Sequence, residues 1–399
     1  MKGPLNGVRV LDMSLVLAGP MASMYLAQLG AEVVKLEPPG GDPMRANSDD
    51  GSNTPDAFVA LNAGKHSVCL DLRSKDGQAA IRELVADCDV FLESFRPGLL
   101  ARYGLDEKGL RAVNPRMIYC SISGYGQRGE WAGRGAYDLV VQAATGMMML
   151  SGDEENQAPV KVGFPVVDAA VAMLSSMAIA AALHQRQVDG KGQSIDASMV
   201  QAALALMYPV ASAVMTTGVE AKRVGNRGSM GSPATDTYRC ADGWLAASVN
   251  TPAQFGKLAT VLGVDALCSD PRALDLDAYA GAPGALVASD LDFLRSNLWA
   301  AFATRSAAEL ESALNAAGVA AAKVRTIGEF LREVDDGSKI ALSGLHVEQN
   351  GRVVRTPGVG FGFGFGFGFG DDTAPATLFS AEPLGDSNSR FLKASPNKE

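Results

Sequence analysis

This chain of 399 residues carries no basic excess, no paired cysteine motif and no clean apolar stretch of membrane length. A formal charge of −9 leaves no basic face of the kind that neutralises phosphates, which argues against a nucleic-acid binder. The five cysteines, at 69, 88, 120, 240 and 268, are an odd set without a CxxC pair. That excludes a disulfide framework and a zinc site, and reduced thiols are expected. The apolar run from Ala169 to Leu183 is broken by Ser175 and Ser176, is bounded by Asp168 and His184-Gln185-Arg186, and falls short of the roughly 20 residues a bilayer needs. A buried core helix is expected there, and no membrane partner. The residues Met1 to Gly7 lack the apolar core of a signal peptide, so a cytoplasmic location is expected.

What is present is a large apolar complement, 47% of the residues, with 20% charged. That is enough for a sizeable core and two domains. Val8 to Leu11 has the pattern of a strand, Met21 to Leu29 that of a helix entered through Ala18-Gly19-Pro20, and Glu32 to Leu36 that of the next strand. Such a βαβ unit implies a parallel sheet. The alternation continues with strands at 67–72, 89–93 and 117–123 and a helix at 74–86, which predicts a doubly wound α/β fold with ligands outside the carboxyl ends of the strands. The first turn reads Ser14-Leu15-Val16-Leu17-Ala18-Gly19-Pro20 and lacks GxGxxG, so a dinucleotide cofactor is not indicated.

Basic residues fall on or near the connections leaving those strand ends: Arg45, Lys65, Arg96 and Arg102. Singly, each has the character of a solvated charge; together they would meet an anionic ligand with cations and helix N-termini. The segment Lys161 to Asp168 contains Gly163 and Pro165 and sets one carboxylate at the mouth of the apolar helix. Two roles are open for Asp168: a helix cap, or a carboxylate kept ionised by the helix dipole and able to act as a nucleophile.

Further on, Gln193 to Asp196 has the pattern of a short strand and Ser198 to Val214 that of a second apolar helix. The glycine-rich stretch from Lys222 to Pro233 marks a boundary. A smaller α+β domain follows, with a hairpin within 238–249, helices near 253–262, 293–303 and 306–316, and a loose connection over 269–290. From Gly358 to Gly370, Phe and Gly alternate. Five rings on one face of a strand and an irregular flap over an apolar surface are both open, an aromatic lid over a ligand among them.

Several of these stretches together resemble the class III coenzyme A-transferases, the CaiB/BaiF family: Leu5 to Asp12 with Ala18-Gly19-Pro20; Leu29 to Pro38 leading to Gly41-Asp42-Pro43-Met44-Arg45; Asn62 to Ser67; Glu93 to Gly98; Ser123 to Gly126; and Gly225-Asn226 with Asp242-Gly243. The resemblance implies an interlocked, ring-like homodimer, each subunit with a Rossmann-like large domain (1–222), a small domain (223–327) and a C-terminal segment (328–399) returning to the large domain and holding the 358–370 repeat. It places the family's nucleophilic aspartate at Asp168, where the cap and nucleophile roles become compatible. It assigns coenzyme A contacts to Lys65, Phe95, Arg96 and Arg102, with Arg45 near the phosphates. Val16 and Ala18 would lie beside the thioester, where a backbone N–H stabilises an oxyanion, and a glycine loop containing Gly228 and Gly231 would cover the intermediate. Coenzyme A enters as a substrate thioester, with no permanently bound cofactor and no metal. Leu17 stands where some members carry Gln, His66 where Arg is common and Ser94 where Asn is common.

The implied reaction transfers coenzyme A from an acyl-CoA to a carboxylic acid, with short dicarboxylic acids such as succinate or mesaconate as frequent family substrates. The α-methylacyl-CoA racemase branch shares the fold but pairs its Asp with a His in a Gly-His-Asp motif; here that stretch is Gly135-Ala136-Tyr137-Asp138. Tyrosine, with an ordinary pKa of about 10, is a poor base near neutrality. Tyr137 and Asp138 are either pocket residues of a transferase or a packed ring and a capping carboxylate. A catalytically silent coenzyme A-binding partner subunit is the remaining alternative.

Overall fold

The computed structural model describes residues 3–46, 54–152, 158–228, 231–281, 284–335, 337–340, 344–361, 376–378 and 380–392. The chain divides into two compact units: Met1–Met148, Lys161–Val219 and Leu342–Glu399 form the first, and Met149–Val160 with Glu220–Ala341 form the second.

In the first unit, short apolar strands alternate with helices: β1 (Arg9–Met13), α1 (Ala18–Gln28), β2 (Glu32–Glu37), α2 (Asp56–Asn62), β3 (His66–Cys69), α3 (Lys75–Ala86), β4 (Val90–Glu93), α4 (Glu107–Arg111), β5 (Ile118–Ser123), α5 (Asp138–Ala144), α6 (Val166–Asp189), β6 (Ser194–Ser198), α7 (Met199–Leu206) and α8 (Tyr208–Thr217). The six strands form one sheet in the order β3-β2-β1-β4-β5-β6, parallel at every pairing. Parallel strands are covered on both faces, which is why β1, β4 and β5 are almost wholly buried. One face packs on α1, α6 and α7, with Val10, Leu26, Val33, Ile118, Val171 and Ile179 at its centre. The other holds Leu11, Val34, Ile81, Phe91 and Leu110.

Two local expectations change. Helix α6 runs 24 residues and is long and apolar enough to cross a membrane, longer than the Ala169–Leu183 run suggested. It is nevertheless a core helix on one side, with Val167, Ala170, Val171, Ile179 and Leu183 in the main core. The apolar stretch after β6 is two helices, bent by 90° between α7 and α8, because Pro209 sits in the first turn of α8 and lacks the N–H that would continue α7.

In the second unit, β7 (Asp236–Arg239), β8 (Trp244–Ser248) and β9 (Ala320–Lys323) make an antiparallel sheet. It packs on α9 (Pro252–Leu262), α11 (Leu291–Ala303) and α12 (Ala307–Ala316), with Tyr238 stacked on Phe302 at 4.0 Å. The 269–290 connection is not loose. It contains α10 (Leu276–Ala280) and a bridge from Leu274 to Ala288, and it buries Ala273, Leu274 and Leu286. Helix α13 (Ile327–Val334) opens with a capping box from Thr326 and Glu329.

The chain then returns to the first unit as β10 (Gly344–Gln349), β11 (Arg352–Pro357), β12 (Ala376–Leu378) and α14 (Asn388–Phe391). Val347, Val354 and Ala381 pack on Phe58 and Val59 of α2. Glu382 bonds the Ser67 amide at 2.8 Å and His66 Nδ1 at 2.8 Å, seating this segment on β3. Of the Phe/Gly repeat, Gly358 to Phe361 are described and 362–370 lie outside the described residues.

Candidate active site

In a sheet ordered 3-2-1-4-5-6 the connections from β1 and β4 depart in opposite directions, which opens a crevice beyond their carboxyl ends. An open cleft of about 260 Å³ lies there. Its walls are Leu15 to Ala18 after β1, Ser94 to Pro97 after β4 and Ile122 to Gly124 at the end of β5. Arg134, Ala136 and Tyr137, then Asp168 and Met199, complete it.

Tight backbone approaches shape these walls. A Cβ on Gly19 would meet the Ser14 side chain at 2.2 Å, and one on Gly124 would meet the Ala136 Cβ at 2.2 Å. Glycine is therefore required where α1 leaves its turn and where the 134–137 segment crosses β5. Val16 has φ of 68°, a left-handed conformation costly for a β-branched residue and characteristic of functional turns. Its N–H points to Asp42 at 3.3 Å, so the Val16 amide is already occupied. The Ser94 hydroxyl accepts from the Leu15 amide at 3.2 Å and ties the two turns together. Helix α1 starts at Ala18 without a side-chain cap. Ala18 lines the cleft, and its first-turn N–H has no backbone acceptor among the described residues.

Asp168 is half-buried in the cleft wall, at the third position of α6, with Pro165 rather than Asp168 as the N-cap residue. The capping expectation is thereby corrected. The carboxylate that binds the α6 terminus comes from Asp138, whose Oδ2 accepts from the amides of Val167 at 2.7 Å and Asp168 at 3.1 Å. Its Oδ1 accepts from the amide of Gln142, which is fully buried and accepts from Val162 N–H at 2.9 Å. Burial, and then the Asp138 charge, push the Asp168 carboxyl up to about 6. The helix N–H groups are thus spent on its neighbour, and Asp168 gains little ionic stabilisation from them.

The residues expected to meet an anionic ligand separate into three groups. Phe95 and the exposed Arg96 line the cleft, and among the described residues no carboxylate lies within ion-pair distance of Arg96. Arg102 is exposed on the short 3-10 turn Leu100–Tyr103, outside the cleft lining. Arg45 and Lys65 require correction. Arg45 is 6% exposed, its guanidinium paired with both oxygens of Glu37 at 2.7 and 2.8 Å and stacked over Phe58 at 4.1 Å. Lys65 is 2% exposed and donates to Asp12 at 3.3 Å, Pro20 O at 2.8 Å and Asn62 at 3.0 Å. All three Lys65 donors are committed, and Arg45 commits Nε and Nη2 to Glu37 and to Glu382 O. With Lys35 and Asp42, paired at 2.9 Å, they form a buried charge network beneath the β1 turn. Gly228 and Gly231 belong to the second unit, Gly231 with φ of 79°; Ser229 and Met230 lie outside the described residues.

Leu17 and the 75% exposed Tyr137 line the cleft, and Asp138 stands behind it. A further cation also lines the cleft. Arg134 stacks on Trp131 at 4.0 Å, and its nearest carboxylate, Glu130, is 3.9 Å away. The available signal was an arginine two residues before the Ala136-Tyr137-Asp138 stretch. None of the three histidines, His66, His184 and His346, is in the cleft. Among the described residues no cluster of His, Cys, Asp or Glu has metal-binding geometry, and the five cysteines are free.

Fold and cleft together define a doubly wound α/β protein with a carboxylate-bearing crevice at its switch point. The chain belongs to CoA-transferase family III, whose model matches residues 5–363, and it is an enzyme of that family, which works on coenzyme A thioesters. It is 39% identical over 279 residues to the succinate–glutarate CoA-transferase of Agrobacterium fabrum, covering 68% of this chain and 69% of that one. Against the succinyl-CoA:glutarate CoA-transferase of Mus musculus it is 37% identical, across 67% of this chain and 61% of the relative's length. A crystal structure of a CaiB/BaiF family protein from Brucella suis superposes with a TM-score of 0.81 at 29% identity, covering 98% of both chains.

Proposed function

We propose that this enzyme moves coenzyme A from an acyl-CoA to a carboxylic acid with Asp168 as the nucleophile. The observation carrying this reading is a half-buried, raised-pKa carboxylate on the wall of an open switch-point cleft. An Asp168 oxygen attacks the thioester carbonyl; the C–S bond breaks, giving a mixed anhydride and coenzyme A thiolate. The thiolate then attacks the aspartyl carbonyl and expels the donor carboxylate, leaving an aspartyl-CoA thioester. An acceptor carboxylate attacks that thioester and releases the thiolate, which takes the new acyl group and frees Asp168. The first-turn N–H of Ala18 serves the oxyanion, since that of Val16 is bonded to Asp42. Phe95 and Arg96 take the coenzyme A arm at the mouth.

The substrate class is a short dicarboxylic acyl-CoA, and the support is Arg134. Its guanidinium is oriented by stacking on Trp131, is only loosely met by Glu130, and is suited to a second carboxylate. The succinyl and glutaryl names of the relatives agree with it. A cytoplasmic homodimer completes the reading: α8 has no buried residue, and Tyr208 and Met215 stand 70% and 85% exposed, an apolar face suited to a second copy.

Incubation with succinyl-CoA followed by hydroxylamine tests the chemistry. The expected product is a hydroxamate at residue 168, mapped by mass and missing from Asp168→Asn. No hydroxamate would leave a silent coenzyme A-binding subunit, and α-proton exchange with deuterated solvent would instead mark a racemase.

A further inference from the structure

We infer that Asp138 is the positioning residue of this site: it occupies the N-terminal amides of α6, holds Asp168 in register, and denies it the ionic stabilisation those amides would give. The inference rests on the assignment of Asp168 as the nucleophile and goes beyond it, because it explains why that carboxylate is reactive.

The geometry forms one continuous relay. Val162 N–H donates to Gln142 Oε1, Gln142 Nε2 to Asp138 Oδ1, and the amides of Val167 and Asp168 to Asp138 Oδ2. It therefore clamps the chain on both sides of the Gly163-Phe164-Pro165 break that delivers Asp168. Gln142 is buried, so the clamp does not depend on solvent. An aspartate at the first turn of a helix ordinarily takes those amides itself and becomes a weaker base. Here a second carboxylate takes them, and its charge repels the first.

Ionised Asp168 is thus disfavoured by burial and by Asp138. Attack on a thioester turns that anion into a neutral anhydride and relieves both penalties. The other charged or titratable groups lining the cleft with Asp168 are Arg96 after β4, and Arg134 and Tyr137 on the segment before α5. The two arginines are cations that act in the opposite sense.

Two variants test the charge and the bonding: one removes the charge, the other moves it one residue along the relay and keeps the bonds. Asp138→Asn removes the charge but places an NH2 against the Gln142 NH2. Asp138→Asn combined with Gln142→Glu restores the whole relay, since the new amide donates to the new carboxyl and that carboxyl still accepts from Val162. The readout is the carboxyl ¹³C titration of Asp168 in aspartate-labelled full-length protein, its resonance assigned by its loss in Asp168→Asn. The wild-type midpoint is expected near 6. In Asp138→Asn it should fall by about half to one pH unit, and hydroxamate formation at pH 8 should slow about tenfold; in the double variant, which moves the negative charge to residue 142, the midpoint should lie between those of Asp138→Asn and the wild type. An unchanged or raised midpoint in Asp138→Asn, or a double-variant midpoint above the wild type, overturns the inference. The titration needs no substrate, so a missing hydroxamate in the wild type would defeat the nucleophile assignment without touching this result.

Discussion

Replacing Lys65 by Met sets two roles for one cation against each other. The family resemblance gives Lys65 to coenzyme A, whereas the structure commits all three of its donors to Asp12, Pro20 O and Asn62. Met matches the length of the stem, so little packing is lost. Asp12 keeps the hydroxyls of Ser14 and Ser23 and the nearby charge of Lys35, but Pro20 O and Asn62 Oδ1 lose their buried donor. At ~1–3 kcal/mol for each orphaned acceptor, offset by no longer burying an ammonium, the net cost is about 2–4 kcal/mol. In a chain of this size that is a fall in melting temperature of about 2–5 °C. The assay is thermal unfolding by circular dichroism, with KM for succinyl-CoA measured well below the transition and expected to stay within about threefold of wild type.

There is a second signature in pH. Burial pulls the Lys65 ammonium down to about 7 from its ordinary 10.5, so between those values the unfolded chain binds a proton that the folded chain has lost. This group's contribution to stability therefore rises with pH across that window, and the Met variant should lack the rise. An unchanged melting temperature together with a KM raised tenfold or more would refute the reasoning and return Lys65 to the ligand.

Arg134→Gln should raise KM for succinyl-CoA about 10- to 100-fold, the size of one lost charge-assisted hydrogen bond, while leaving acetyl-CoA kinetics unchanged; equal effects on both would remove Arg134 from acid selection. Gly19→Ala puts a Cβ 2.2 Å from Ser14, so it should lower stability by ~1–3 kcal/mol and slow hydroxamate formation at residue 168 by a larger factor than its effect on stability would predict. Met215→Glu should shift the sedimentation profile towards monomer; a wild type that is already monomeric would show α8 is not a face between copies.

The sheet was legible because its signals are local. Alternating apolar strands, a proline in the first turn of α1 and the serine cap of α3 sit within a few residues of what they determine. The two places where reading by neighbourhood failed share a cause. Asp168 has the sequence setting of a cap, but the amides belong to Asp138, 30 residues earlier on another helix. Arg45 follows a strand and Lys65 stands in the short link just before one, both with the sequence setting of surface cations, yet their partners Glu37 and Asp12 lie within strands. That second error had a readable warning. Asp12, Lys35 and Glu37 interrupt β1 and β2, which a parallel sheet buries on both faces, and a buried charge requires an opposite charge close by. Counting the charges that strands must bury, and then asking which loop residues neutralise them, would have claimed Arg45 and Lys65 for the fold before any ligand was considered. It would also have left Arg96, Arg102 and Arg134 as cations that no strand carboxylate claims.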